Sequence, residues 1–267
     1  MPSFQVVLGN AAQQDWEIHK VDVKSAYLNA SLEETIYMLL PPGGLKPGQE
    51  GMVCHLEKGL YGLKQAGWGW QKMLTSIFIN DLGFKQSGVD HSIFMRKAEG
   101  EHTVVTMVTD DMAVTSKQMS DVVIFKSELQ KHFDITDLGK MTCFLGFDVR
   151  CDRAVQKIMI NQGAYIKTLA ERFWLCDVKP ITTPMDLGAE FSKAQGPLTP
   201  KQIGQMKSIP YSKAIGSILW PVMVSYLDAA FAVSTLLPYI QNTGPAHWEG
   251  VKQIISYLLT TKDQWLT

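Results

Sequence analysis

Two short apolar runs, residues 104–108 and 112–114, enclose Thr109-Asp110-Asp111. Runs of this kind, rich in valine, read as two strands joined by a tight turn. A two-residue hairpin turn is normally made by Asn-Gly or Asp-Gly, because both central residues take φ > 0. Here the turn carries two like charges side by side and no glycine, a strained arrangement that a bound cation would relieve. Upstream, Val21-Asp22-Val23 sets another carboxylate inside a strand-like segment, where a half-buried acid is unfavourable unless paired or metal-bound. Acids placed this way point to a divalent metal site. Taken alone, Asp22 could cap a neighbouring element, and the adjacent pair could form a solvated turn.

Composition sets bounds without choosing. The 267 residues, 46% hydrophobic and 19% charged, suffice for a sizeable core and for two or three packed subdomains. A formal net charge of −1 supplies no global positive field, so a nucleic-acid partner would be held by local basic patches and metal ions. Cys54, Cys143, Cys151 and Cys176 have neither zinc-ligand spacing nor the density of a disulfide scaffold. They are expected to be buried thiols of an intracellular protein in a reducing compartment. Residues 1–10 lack a charged n-region followed by an apolar core, so no signal peptide is expected. The longest apolar tract, residues 215–237, is interrupted by Pro221 and Asp228. It reads as packed helix rather than a membrane span.

Along the chain, residues 5–14 resemble the end of a helix, residues 17–23 alternate like a strand, and a short helix follows. Pro41-Pro42-Gly43-Gly44 and Lys46-Pro47-Gly48 punctuate a loop, after which residues 52–56 resume strand character. Residues 60–82 are helix-rich, with Trp68, Trp70, Met73, Leu74, Ile77 and Phe78 at helical spacing and Gly83 beyond the end. After the carboxylate hairpin, residues 121–132 read as an amphipathic helix with Lys126, Glu128 and Lys131 on its charged face. Residues 144–150 and 157–160 form a second expected hairpin, and residues 161–174 a helix. The proline-rich stretch 179–210 reads as a linker or extended arm, and residues 211–266 as largely apolar helix.

Five segments in this order carry a specific resemblance: residues 21–29 (VDVKSAYLN), residues 60–66 (LYGLKQA), Thr109-Asp110-Asp111-Met112, Asp137-Leu138-Gly139 with Phe144-Leu145-Gly146, and Ala246-His247-Trp248. Together they resemble the reverse transcriptase domain of copia-type LTR retrotransposon Pol polyproteins. The resemblance implies an α+β, right-hand polymerase: an antiparallel palm sheet backed by helices, a helical thumb and a C-terminal helical connection-like region. It implies partial fingers and palm over 1–140, primer-grip hairpin and thumb over 141–185, a linker over 186–210 and connection-like helices over 211–267. Basic fingers residues for the triphosphate would precede residue 1, and a ribonuclease H domain would follow residue 267.

The implied activity is RNA-directed DNA polymerisation, with an RNA or DNA template, a primer and deoxynucleoside triphosphates as partners. No membrane is involved, and the setting is a cytoplasmic virus-like particle or the nucleus. Two Mg ions, or Mn, would be held by Asp22 and Asp110 as bridging ligands, with Asp111 weaker or indirect. Tyr27 takes the position of the ring that excludes a 2′ hydroxyl by contact, and Gln65 that of a nucleotide-contacting glutamine. Phe144, Leu145 and Gly146 match the primer grip. Outside the resemblance, Tyr27 reads as a core tyrosine, Phe144-Leu145-Gly146 as an ordinary turn, and Lys167 with Arg172, which a thumb helix would turn to template or primer phosphates, as a solvated charged face. Val108-Thr109, Gly67-Trp68 and Tyr226-Leu227 depart from the family's usual Tyr-Val, Pro-Arg and Arg-Pro. These departures keep a catalytically inactive, transposon-derived remnant that at most binds nucleic acid as the alternative. A two-metal nuclease would use similar carboxylates but leaves Tyr27 and Gln65 without a role.

Overall fold

The computed structural model describes residues 2–41, 43–44, 51–98 and 101–267. Pro42 and the expected turn at Lys46-Pro47-Gly48 lie outside them. The chain is mixed α and β, with antiparallel sheets and helices divided between two compact units, Ser3–Met141 and Thr142–Thr267.

In the first unit, α1 (Pro2–Gln13) leads into β1 (Glu17–Val23), the short α2 (Ala26–Asn29), and a ribbon of β2 (Ser31–Leu39) and β3 (Val53–Lys58). Helix α3 (Ala66–Ser76) runs on through a π-helical turn, Ile77–Asp81. A meander follows, comprising β4 (Lys85–Gln86), β5 (Ile93–Ala98), β6 (Glu101–Val108) and β7 (Asp111–Ser116), then α4 (Met119–Leu129) and β8 (Ile135–Lys140). The antiparallel sheet has the order β4-β5-β6-β7-β1-β8, which places β1 between β7 and β8. Strand periodicity then divides its residues. Val21 and Val23 enter the core with Met112, Val114, Trp70, Leu74, Phe78, Phe125 and Leu129, while Lys20 and Asp22 take the opposite face.

Helix α4 buries Val122, Phe125 and Leu129 as its sequence leads one to expect, with exceptions on either face. Lys126, expected on the charged face, is buried, while Val123 and Ile124 are exposed. The burial of Lys126 has a local cause: its ammonium donates to Asp137 Oδ1 at 2.6 Å and meets His19 Nδ1 at 2.9 Å. A buried lysine is tolerable only with such partners. With Nδ1 accepting, the His19 proton sits on Nε2, which is buried with no partner among the described residues.

In the second unit, β9 (Cys143–Phe144), β10 (Phe147–Asp152) and β11 (Lys157–Asn161) form a small antiparallel sheet. Helices α5 (Gly163–Arg172), α6 (Pro200–Lys207), α7 (Tyr211–Val224), α8 (Ala230–Leu236) and α9 (Pro245–Thr260) follow. Ile166, Leu169 and Phe173 share a core with Ile215, Ile218, Leu236, Val251, Ile254 and Leu258, so residues 141–185 and 211–267 do not divide into separate cores. The stretch expected as a linker carries α6, started by a Thr199–Gln202 capping box with Pro200 in its first turn. Phe191 packs on the same core. The thiols also differ from expectation: Cys143, Cys151 and Cys176 are exposed and Cys54 is half-buried, and none of the four is in a disulfide. Each exposed thiol sits on a short strand or a turn, where alternate or flanking positions face water instead of a core. No helix among the described residues is long and apolar enough to cross a membrane.

Helix α5 ends in a Schellman motif with an unusual residue. Leu175 N–H donates to the Ala170 carbonyl (2.9 Å) and Trp174 N–H to the Glu171 carbonyl (3.1 Å), which puts Trp174 at the left-handed position normally given to glycine. Its φ is 56° and its side chain is 85% exposed, so strain is accepted with almost no burial in return. Trp174→Gly is therefore expected to stabilise the chain by about 1 kcal/mol, measured as a higher urea midpoint at unchanged slope.

His247 fixes the start of α9. It is fully buried and stacked on Tyr239 at 4.0 Å, accepts the Gly244 N–H on Nδ1 (2.9 Å) and donates from Nε2 to the Ser192 carbonyl (3.1 Å). Gly244 admits no side chain, since a Cβ would collide with the Gln195 carbonyl. Burial holds the His247 pKa below its ordinary 6.5. As pH falls through 6.5 the unfolded chain therefore binds the proton that the folded chain refuses. Stability present above 6.5 is lost on acidification, and His247→Gln should flatten that loss in melts run from about pH 7.5 down to about pH 5.

Candidate active site

The hairpin between β6 and β7 has a two-residue turn, because Val108 pairs with Asp111 across it. Only its first central residue, Thr109, has positive φ, at 58°, the requirement of a II′ turn rather than of I′. A β-branched residue there is strained. What holds it is Trp70 on α3, a buried ring whose indole N–H donates to the Thr109 carbonyl at 2.7 Å. The strained turn thus has a protein partner for its backbone.

That turn sets the register, and the register brings the carboxylates together. Asp22 on β1 lies directly opposite Asp111 on β7. Val23 N–H donates to the Asp110 carbonyl at 2.9 Å, so Asp22 and Asp111 form a non-hydrogen-bonded pair, the kind whose side chains approach more closely. Like charges so placed are destabilising. The Asp22 pKa is raised by burial first and then by the charges of Asp110 and Asp111. One cation partly offsets them: Lys20, diagonal to Asp111, reaches its Oδ1 at 2.8 Å. Asp110 sits in the turn itself, and the Tyr61 hydroxyl reaches its Oδ2 at 3.5 Å.

Tyr27 lies on α2, its ring centroid 4.6 Å from that of Tyr61. Gly59 packs against its backbone, where a Cβ would come within 2.6 Å of the Tyr27 carbonyl oxygen. Gln65, the other expected nucleotide contact, donates to Glu34 Oε2 at 2.8 Å. It borders a 440 Å³ cleft lined by Glu33, Glu34, Trp68 and Lys72 among others. In the second unit, the turn between β9 and β10 is made by Leu145 and Gly146, at φ 49° and 82°. This is the double positive φ of a I′ hairpin. Phe144 is fully buried, so it anchors the hairpin, and the turn residues are what the hairpin presents.

Against known families, residues 1–187 match the model described as "Reverse transcriptase (RNA-dependent DNA polymerase)". The retrovirus-related Pol polyprotein from transposon TNT 1-94 of Nicotiana tabacum is 35% identical over 98% of this chain, which covers 20% of that protein. The Pol polyprotein from transposon RE2 of Arabidopsis thaliana is 28% identical over 98% of this chain and 17% of its own length. The chain belongs to the reverse transcriptase family. Its plant relatives are copia-type Pol polyproteins, of whose length it spans about a fifth. A putative transposon Ty5-1 protein of Saccharomyces cerevisiae is 26% identical over 92% of this chain and 77% of its own length.

In this reverse transcriptase domain the structure brings Asp22, Asp110 and Asp111 together with Tyr27 nearby, while Gln65 is engaged elsewhere. Sequence reasoning missed Lys20 and Tyr61. Lys20 was legible as the residue two before Asp22, and so on its face of the strand. Tyr61 was legible in Leu60-Tyr61-Gly62-Leu63. Gly62 at φ 96° and a Leu63 N–H to Leu60 carbonyl bond of 3.1 Å make a type II turn that puts Tyr61 at its corner.

The like-charge pair predicts a trade-off. A raised carboxyl pKa means that the folded state loses stability as pH rises through the window above 3.8. Asp22→Asn removes that penalty and should stabilise the metal-free chain by roughly 0.5 kcal/mol at about pH 7. A thermal melt in EDTA that showed Asp22→Asn less stable than the parent would contradict it.

Proposed function

We propose that this chain is the nucleotidyl-transfer part of an RNA-directed DNA polymerase, with a palm in its first unit and a primer-grip hairpin and thumb in its second. The observation that carries this reading is the in-register opposition of Asp22 and Asp111 with Asp110 in the adjoining turn. A fold that gained nothing from a shared cation would not keep opposed carboxylates on inner strands of its sheet.

Divalent cations fit this group chemically, since hard oxygen ligands and a local excess of negative charge are what Mg²⁺ requires. Asp22 and Asp110 would hold the ions, with Asp111 shared with Lys20. When bound, the ions supply a more acidic primer hydroxyl and neutralise charge on the triphosphate. The chain's own residues do the rest. Lys20 holds Asp111 in place, Trp70 fixes the turn that aims Asp110, and the Tyr27 ring closes the space a ribose 2′ hydroxyl would need. Leu145 and Gly146 offer a primer strand an exposed backbone corner.

The second reading, nucleic-acid binding without chemistry, is favoured by one observation. Among the described residues no three His, Cys, Asp or Glu side chains are disposed to hold a metal ion as they stand. Primer extension on poly(rA)/oligo(dT) with Mg or Mn separates the two. Activity that falls at least about 10²-fold in Asp110→Asn, the loss typical of removing one placed electrostatic group, supports the polymerase. Salt-sensitive duplex binding with no extension supports the binder.

A further inference from the structure

Tyr61 is a large side chain whose hydroxyl takes a backbone hydrogen bond at Ala26. It is 49% exposed, so it adds little to the core, and it occupies the corner of a type II turn that Gly62 at φ 96° makes possible. Two of its contacts point into the site: the Tyr27 ring at 4.6 Å and an interplanar angle of 47°, and the Asp110 carboxylate at 3.5 Å. Burial, the Asp110 charge and the hydrogen bond to Asp110 raise the Tyr61 pKa, so its hydroxyl stays protonated and donates. At 3.5 Å that bond is weak. The ring contact is the stronger of the two, since a tilted aromatic pair at this separation is favourable beyond its buried area.

Tyr27 packs against the apolar core of the first unit, and backbone comes close to it at two points. A Cβ at Gly59 would lie 2.6 Å from the Tyr27 carbonyl oxygen, and one at Gly67 would lie 3.8 Å from its hydroxyl. The Tyr61 ring stands against the Tyr27 ring, and its hydroxyl also reaches the Asp110 carboxylate. A ring excludes an extra oxygen only if it cannot swing aside, because exclusion by contact is as strong as the support behind the contact.

We infer that Tyr61 is a positioning residue for sugar selection, holding the Tyr27 ring against the site so that a deoxyribonucleotide is accepted and a ribonucleotide refused. This rests on the polymerase reading and names the residue that makes its gate rigid. Gln65, engaged by Glu34, has no part in it.

The test is the preference for dTTP over UTP on poly(rA)/oligo(dT), read as the ratio of kcat/KM and, separately, as competition for the complex formed on a dideoxy-ended primer that cannot be extended. Tyr61→Ala should lower the preference at least tenfold with little change in the KM for dTTP, and Tyr61→Phe, which keeps the ring, should restore it to within twofold of the parent. Tyr27→Val combined with Tyr61→Ala should be no less selective than Tyr27→Val alone, since a residue acting through another adds nothing once that partner is gone. A Tyr61→Ala chain that keeps its preference within twofold, or effects that add in the double variant, would overturn the inference. Absence of extension by the parent chain would count against the polymerase reading alone, leaving the binding ratio to decide this one. A parent that retains neither triphosphate on the dideoxy-ended primer would overturn both.

Discussion

The hydrogen bond from the Trp70 indole to the Thr109 carbonyl is the contact on which the site depends. Hairpin register follows from turn geometry, and a slip of one residue would send each side chain to the other face. Thr109 at φ 58° is a poor residue for the turn, and on propensity alone a looser loop would compete with it. A buried indole N–H without an acceptor is also unfavourable, so the helix supports the turn and the turn satisfies the helix. With Val108 and Asp111 paired, Asp111 comes opposite Asp22, and Asp110 is left at the tip.

Much of this was legible in the chain. Strand β1 begins and ends where alternation predicted, because an inner strand whose one face is core must place apolar residues at every second position, as Val21 and Val23 do. The carboxylate hairpin was legible from its flanking valines. Less legible was anything set by partners distant in sequence. Lys126 looks like one of several surface lysines until Asp137 and His19 are seen beside it. The stretch 186–210 reads as a linker because proline and polar residues dominate it, yet Phe191 finds the core and Thr199 caps a helix. Propensity measures local preference, and these features come from tertiary contact.

The two faces of the six-stranded sheet treat charge in opposite ways. On the core side the Lys126 ammonium is matched by Asp137 and by the neutral nitrogen of His19, so a buried cation is brought close to local neutrality. On the other side Asp22, Asp110 and Asp111 come together with a single ammonium among the described residues, that of Lys20, paired with Asp111. Local electrostatics are thus nearly balanced where the sheet serves the fold and unbalanced where the strand register brings acids together. Imbalance of this kind is maintained against stability, and it tends to persist where activity needs it.

Trp174 and Tyr61 show how exposed aromatics differ in what they imply. Both stand at turns, and both leave much of their surface in water. Trp174 takes a left-handed position itself and thereby adds strain at the end of α5. Tyr61 has an ordinary backbone, because Gly62 takes the positive φ beside it, and it converts that freedom into contact with Tyr27 and Asp110. A glycine adjacent to an exposed ring lets the chain aim the ring without strain, whereas a ring in the glycine's own place has its direction fixed by the turn. The first arrangement is informative about function. The second carries a conformational penalty that the little surface Trp174 buries does not offset.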